Sequence, residues 1–452
     1  MKLYWLSGLP LLAAALTAVM RRHRAAAVGL SLITLAACAR LLLLLPLGEP
    51  VLFLGQQWSM EPATRALLAF VYVSTAILLM LAAFTPQASS VTAPILASVG
   101  LLSAAILLRP VALSLLFLPV GLLVAVLAVS PAVLSVARGA SRFLAYATTP
   151  VPFVLAIFRV LEHFALYPDE IALAEQAAWL VLPLALVWLN LFPFAGVMRV
   201  GCRDELSLAA VFLWIVKDAI VTYLLLALWH QYPPLQTQGV LSALRVSGLA
   251  TAVFAGVWAL RDSSPSAILA SAAMSELGIA VQGLSSNSSS AALSGLVLLV
   301  SRSAAILLAT SGLIAMRQVA ASDAQPSPQS AVWLRRVPWV AFGAGILSLA
   351  GVPPFAGFFA RQQIYAAWQP QEPYLRLAWL LSSAGIILGL ARTFWNLRQT
   401  SMPAPSRRQE YLPFVLAAGL LLLCLWIGFR PQAVFGLVSG LFHDLLPASP
   451  SL

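Results

Sequence analysis

The chain has 452 residues, 61% of them hydrophobic and only 9% charged. That composition excludes a soluble globular protein of this length and predicts a polytopic membrane protein. The net charge of +11 would suit nucleic acid, but the basic residues do not cluster as a basic domain and are scattered through short loops, where arginine acts as a topology signal, so no nucleic-acid partner is expected. Cys38, Cys202 and Cys424 are isolated, as are His23, His163, His230 and His443, so neither a disulfide framework nor a metal site is expected.

The first apolar run precedes RRHR at 21–24. That order is the reverse of a signal peptide and predicts a first membrane helix. Apolar segments of bilayer-spanning length follow with short polar breaks: 3–20, 27–47, 66–85, 91–108, 111–134, 143–166, 175–198, 206–229, 238–260, 264–284, 291–316, 336–360, 374–396 and 411–429. These predict an all-α fold of about fourteen transmembrane helices. Only Arg109 and Pro110 divide the fourth span from the fifth. The stretch 320–333 reads as a polar linker. The end, 430–452, reads as a short amphipathic piece lying at the membrane interface through Val434, Phe435, Leu437, Val438, Leu441 and Phe442.

Loop charge tests this count. Alternate loops carry Arg21, Arg22 and Arg24; Arg138 and Arg142; Arg199 and Arg203; Arg261; Arg317, Arg335 and Arg336; Arg398, Arg407 and Arg408. The loop at 86–90 in this set has no charge. The opposite loops are poor in arginine: 48–65 holds Glu49, Glu61 and Arg65, 167–174 holds Asp169 and Glu170, and 230–237 and 285–290 carry no Asp, Glu, Lys or Arg. Positive residues favour the cytoplasm, so both termini are expected on the non-cytoplasmic side of the cell inner (plasma) membrane.

Two spans are interrupted by proline: Pro183 and Pro193 in LVLPLALVWLNLFPFAG, and Pro353 and Pro354 in LSLAGVPPFAGFF. Proline removes a backbone donor and opens a helix, which a membrane tolerates where protein or a water cavity satisfies the freed groups. Matched breaks in two halves point to an inverted-repeat transporter with its path at mid-membrane; ordinary proline kinks are the plainer alternative. The spacing predicts an N-terminal three-helix segment (1–90), a first five-helix repeat (91–230), a second (236–398), and a C-terminal helix with interfacial tail (399–452).

Only two lysines occur, Lys2 and Lys217. Lys217 lies mid-span in FLWIVKDAIVTYLLLALW beside Asp218. An ionisable group there costs a few kcal/mol at least, which marks a proton or ion path with a nearby partner; a structural charge is the alternative. Lysine can be tuned to release its proton, whereas arginine cannot. Asp218 is about 100° round an ideal helix from Lys217, not automatically its same-face partner. Glu276, in SAAMSELGIAVQGL, is the carboxylate at matching depth in the second half. Arg361 and Arg302 can only bias neighbours electrostatically. Arg40, Arg159, Glu162, Arg245 and Arg392 complete the charges within spans, with Glu162 and His163 placed near an interface. No phosphate loop, dinucleotide fingerprint, CxxC pair or haem-ligand pair is present, so no cofactor and no catalytic residue are expected.

Together these stretches resemble the antiporter-like membrane subunits of respiratory complex I (NADH-quinone oxidoreductase), shared with group 4 hydrogenases and multisubunit cation/proton antiporters. QQWSMEPATRALLAF (56–70) resembles the lead-in to the third helix, with Glu61 where Asp is usual. NLFPFAGVM (190–198) resembles the first broken helix, and WIVKDAIVTYLLL (214–226) the lysine helix that follows. Residues 248–284 resemble the ninth and tenth helices. LSLAGVPPFAGFFARQQIYAAW (347–368) is the most specific match, to the second broken helix, and LARTFWNL carries the Arg392 usual in the thirteenth.

The resemblance implies fourteen helices, two inverted repeats and a chain of buried mid-membrane charges. Lys217 matches the eighth-helix lysine and Arg361 the twelfth-helix charge. The seventh-helix lysine falls on about Trp188, and the fifth-helix glutamate falls in LSLLFLPVGLLVAV, which has no acid. The usual histidines are Ala195 and Glu276, and WLPDA is absent.

The implied function is proton conduction in a complex-I-like or hydrogenase-like membrane arm, coupled to electron transfer in partner subunits carrying flavin, iron–sulfur or nickel–iron centres. The path would use Lys217, Asp218, Glu276 and Arg361, and subunit-N-like or more divergent members fit best. Two alternatives stay open: a cation/proton antiporter subunit without a redox partner, and a non-pumping structural subunit.

Overall fold

The computed structural model describes residues 3–53, 55–127, 144–167, 171–196, 206–262, 264–320, 330–368, 373–399 and 412–446. Cys202, Asp169, Glu170, Arg138, Arg142, Arg199, Arg203, Arg407 and Arg408 lie outside these residues, as does most of the 320–333 linker.

The described chain is almost wholly helical. In order come α1 (Trp5–Val19), α2 (Arg24–Leu44), α3 (Pro62–Ala82), α4 (Ala88–Leu107), α5 (Val111–Leu127), α6 (Val151–Leu166) and α7 (Ile171–Trp188). Next are α8 (Leu208–Gln231), α9 (Gln238–Arg261), α10 (Pro265–Leu284), α11 (Ser289–Ala320), α12 (Ser330–Leu349), α13 (Gly357–Trp368), α14 (Pro373–Gln399), α15 (Leu412–Phe429) and α16 (Pro431–Phe442). Among the described residues nine helices are long and apolar enough to cross a membrane. A tenth crossing arises if Pro413–Phe429 and Pro431–Leu445, bent by 86°, are one span. The chain is a multi-pass membrane protein. Side chains such as Val19, Leu43 and Leu422 stand exposed on helix surfaces, as lipid-facing residues do.

Helix starts follow local chemistry. Proline opens α3 and α10, where its missing N–H costs nothing. Ser264 caps α10 by accepting from the Ala267 N–H at 3.2 Å. At 48–65, where the sequence reads as a loop, Val51–Phe53 (β1), Gln56–Trp58 (β2) and Leu108–Arg109 (β3) form a small antiparallel sheet. Its register pairs Val51 with Trp58 and Gln57 with Arg109. Gly55, at φ +75°, lies in the hairpin turn, a conformation glycine takes without steric cost.

Two compact units divide the chain: residues 1–201, 207–244 and 440–447, and residues 202–206, 245–439 and 448–452. Each has a core helix carrying a charge. In the first it is α8, whose apolar window is 94% buried; in the second it is α10, whose window is wholly buried. A helix apolar all round belongs in a core, which is why a charge on it is costly and informative. In the second unit, α9, α10 and α14 approach closely. A Cβ on Gly278 would lie 2.4 Å from the Gly248 carbonyl oxygen, and one on Gly385 2.4 Å from that of Gly256, the small-residue packing of membrane helices.

Candidate functional site: two helix breaks, each closed by a buried cation

Both interrupted spans break after a helix end, and they break alike. α7 runs through Pro183 without interruption and ends at Trp188. Pro183 therefore belongs to the helix and not to the break: it removes one donor, but the turns around it stay helical. The break is 189–196, around Pro193. Asn190 takes φ 52°. The Asn190 N–H donates to Val187 O (3.1 Å) and the Leu191 N–H to Leu186 O (2.9 Å). In the second unit α12 ends at Leu349 and Gly351 takes φ 72°. The Gly351 N–H donates to Ser348 O and the Val352 N–H to Leu347 O, both at 3.0 Å. These are two copies of one C-terminal motif, bond for bond at a constant sequence offset. Pro193 and Pro354 follow at equivalent places. The second span, read as 336–360, thus stops at 349 and resumes as α13, which holds Arg361.

That motif pairs the carbonyls three and four residues before the left-handed position and leaves the next two without an N–H. Those carbonyls sit at the negative end of the helix dipole, where a cation is favoured. In the first unit Lys217 Nζ donates to Trp188 O. In the second, the Arg361 guanidinium donates to Leu349 O, the equivalent carbonyl, and at 3.0 Å to Ala350 O. The two buried cations are helix-end caps.

Lys217 reaches its carbonyl from α8, at the end of a π-helical turn, Leu213–Lys217. π turns re-aim side chains and occur at functional sites. Lys217 and Asp218 keep ordinary α-helical backbone angles, yet the long lysine side chain reaches its neighbour, Asp218 Oδ1 lying 2.6 Å from Nζ. Both are buried, at 2% and 0% exposed. Trp188 supplies a carbonyl where the resemblance expects a lysine, and its indole donates to Ala147 O at 3.3 Å.

In the second unit Glu276 Oε2 lies 3.4 Å from Arg361, both groups almost wholly buried. Arg361 also donates to Ser383 Oγ at 3.0 Å. Arg302 donates to Ala273 O at 2.8 Å, one helical turn before Glu276. A Cβ on Gly357 would lie 2.6 Å from Glu276 Oε1, so only glycine lets α13 start against the carboxylate. Ser275 and Ser382 share a 2.7 Å hydrogen bond, and Ser382 donates to Ala252 O.

The structure thus brings Lys217 with Asp218 and Pro193's break in one unit, and Glu276 with Arg361 and Pro353–Pro354's break in the other. Sequence reasoning missed the carbonyls that the cations cap; the shared FAG after each proline was the available signal. Among the other charges, Arg245 lies over the Trp368 ring at 4.4 Å. Arg392 donates to Leu260 O. Arg159 and Glu162 form an exposed pair, consistent with an interfacial place. The described residues hold no group of three or more His, Cys, Asp or Glu able to bind a metal.

Residues 207–388 match the family described as NADH:quinone oxidoreductase/Mrp antiporter, TM. Over 264 residues the chain is 28% identical to NADH-quinone oxidoreductase subunit N 2 of Roseiflexus castenholzii, covering 54% of this chain and 48% of that one. It thus spans about half the length of that curated relative. The fold is similar to a chain of the membrane-bound sulfane sulfur reductase, an archaeal respiratory membrane complex (TM-score 0.77, 13% identity, 98% of both chains). It is also similar to a chain of the Mrp complex of Dietzia sp. (0.73, 14%, 98% of this chain and 97% of that one). A third match is to a chain of respiratory complex I from Thermus thermophilus (0.71, 18%, 98% and 100%). The fold is that of the membrane chains of these three complexes. Over residues 207–388 the chain is similar to the family of NADH:quinone oxidoreductase and Mrp antiporter membrane subunits.

Proposed function

We propose that the chain is a proton-conducting membrane-arm subunit of a complex-I-like or hydrogenase-like assembly in the plasma membrane, driven by electron transfer in partner subunits. The observation that carries this reading is Lys217: a buried, releasable cation bridging Asp218 and the freed carbonyl of Trp188. Protonated, it caps the α7 end. On releasing the proton it keeps N–H donors but loses its charge, so its hold on that carbonyl weakens and proton position and helix break are coupled. Glu276 is the carrier of the second unit, and Arg361 its fixed counter-charge.

The finer architecture belongs to the same proposal: fourteen spans, two inverted five-helix repeats at 91–230 and 236–398, and both termini outside the cytoplasm. Four shorter apolar helices, Trp5–Val19, Val111–Val126, Glu175–Trp188 and Arg336–Leu349, lie where spans were expected, and the duplicated break supports the repeat. A second reading, a non-pumping structural subunit, is favoured by Arg361, which cannot give up a proton.

The test is proton translocation by the assembled complex in proteoliposomes, wild type against Lys217→Ala, with electron transfer followed in parallel. Loss of translocation in an assembled complex supports conduction. Unchanged protons per electron makes this chain a scaffold.

A further inference from the structure

We propose that Lys217 is reached from the face of the first unit that carries the β1–β2 hairpin, by a polar path along α8 through Thr222, Tyr223, Thr64 and the Arg109–Glu61 pair. The inference rests on Lys217 being a proton carrier. It assigns the side and the residues of access, which that reading leaves open.

The outer part of the path is continuous. Glu61, at the start of α3, is half exposed, and its carboxylate lies 2.9 Å from Arg109. Arg109 donates to Ser59 Oγ at 3.1 Å and reaches Thr64 Oγ1 at 3.5 Å. Thr64 Oγ1 is 2.7 Å from the Tyr223 hydroxyl, with both side chains buried. Tyr223 is on α8, the helix of Lys217. Between them stands Thr222, one turn beyond Asp218 and on the same helix face, a rise of about 6 Å.

Thr222 is the informative residue. Its hydroxyl is buried and has no hydrogen-bond partner. Buried polar groups are normally satisfied by protein or by ordered water. Such a hydroxyl, on the lysine helix between a wet carboxylate and a buried lysine, is what a short water-bridged relay requires. A hydroxyl accepts on a lone pair and donates its own proton. One proton therefore enters at the hairpin face, one reaches Lys217, and no relay group is left charged. Arg109 releases no proton, so the step from Glu61 to Thr64 passes beside it over bridging water, and its bare charge would repel cations at the mouth. Glu61 neutralises it.

The test uses the assembled complex in proteoliposomes. Thr222→Val keeps the shape and removes the hydroxyl; Thr222→Ser keeps the hydroxyl and removes a methyl. If Thr222 serves packing alone, Val is neutral or stabilising, because it deletes an unpartnered buried group. The path predicts that Thr222→Val assembles and melts normally but slows translocation by about tenfold or more, while Thr222→Ser stays within about twofold of wild type. Tyr223→Phe and Glu61→Gln slow it too, and Tyr72→Phe, whose hydroxyl bonds Leu6 O and Ser103 away from this path, does not. If Thr222→Val and Tyr223→Phe translocate normally while Lys217→Ala fails, the path is wrong and the proton carrier stands. Should Val and Ser fail alike, the hydroxyl is not what translocation depends on and the proposal falls. Should only Glu61→Gln be silent, the mouth is not at the hairpin. Normal translocation by Lys217→Ala as well removes the underlying reading.

Discussion

The two units solve one problem with different cations. In each, a helix stops, a left-handed residue turns the chain, and the same two carbonyls are left over. Lysine closes the first break from a neighbouring helix, and arginine closes the second from the helix that resumes after it. As caps they are interchangeable, since either places positive charge at the negative end of a helix. As proton chemistry they are not, since only the ammonium can be neutralised in a protein. The two breaks thus differ in that the cation at one can be neutralised and the cation at the other cannot.

The sharpest way to break the comparison is Lys217→Arg. The substitution keeps the charge and a donor for Trp188 O, yet makes the first site like the second. The expected result is an assembled complex whose translocation falls by about 100-fold, the scale of losing a positioned proton-transfer group, as followed by a pH-sensitive dye in proteoliposomes. The reverse change, Arg361→Lys, is expected to assemble and to translocate no more slowly than wild type. If Lys217→Arg pumps normally, the cap is all that matters and Lys217 carries no proton.

Glu276→Gln tests the second unit. The change is nearly isosteric and leaves Arg361 its carbonyls, but it removes the carboxylate facing that buried guanidinium. Breaking one partner from a buried pair costs about 3–5 kcal/mol, so the complex should melt at lower temperature, and translocation should fall by about tenfold if the carboxylate relays. Loss of stability with unchanged translocation would reduce Glu276 to a counter-charge, and the fixed charge of Arg361 would then make the second unit a structural one.

Much of this was legible in the chain. Lys217, Glu276 and Arg361 announced themselves because charges in apolar runs are rare. Matched prolines located both breaks, though Pro183 misled: its effect depends on whether neighbouring turns hold, which sequence periodicity does not report. Asp218 was hidden for a similar reason. Ideal helical geometry sets adjacent residues about 100° apart, which does not report that the long lysine side chain bends to its neighbour at 2.6 Å. The caps were invisible because a carbonyl has no letter in the sequence. The hairpin escaped because a handful of strand residues between long spans gives almost no alternation to read. Arg109 looked like a mere divider of two spans until the fold set it against Glu61 and Thr64.

The smallest expected effect tells the two breaks apart at the turn residue itself. Asn190 and Gly351 have nearly the same backbone conformation, and asparagine is among the few side chains that visit it. Asn190→Gly should therefore change stability by less than about 1 kcal/mol, because backbone relief in the fold is offset by extra freedom in the unfolded chain. Gly351→Asn makes the opposite exchange, yet a Cβ there would lie 2.6 Å from Arg361 Cδ. Arg361 folds back across its own break to reach Leu349, whereas Lys217 arrives from α8, and a Cβ at 190 is already accommodated. The loss at Gly351 should be about 1–3 kcal/mol, the usual cost of overpacking, measured by thermal melting of each variant. Equal effects at the two positions would mean that the arginine yields easily, and the second break would be no more tightly packed than the first.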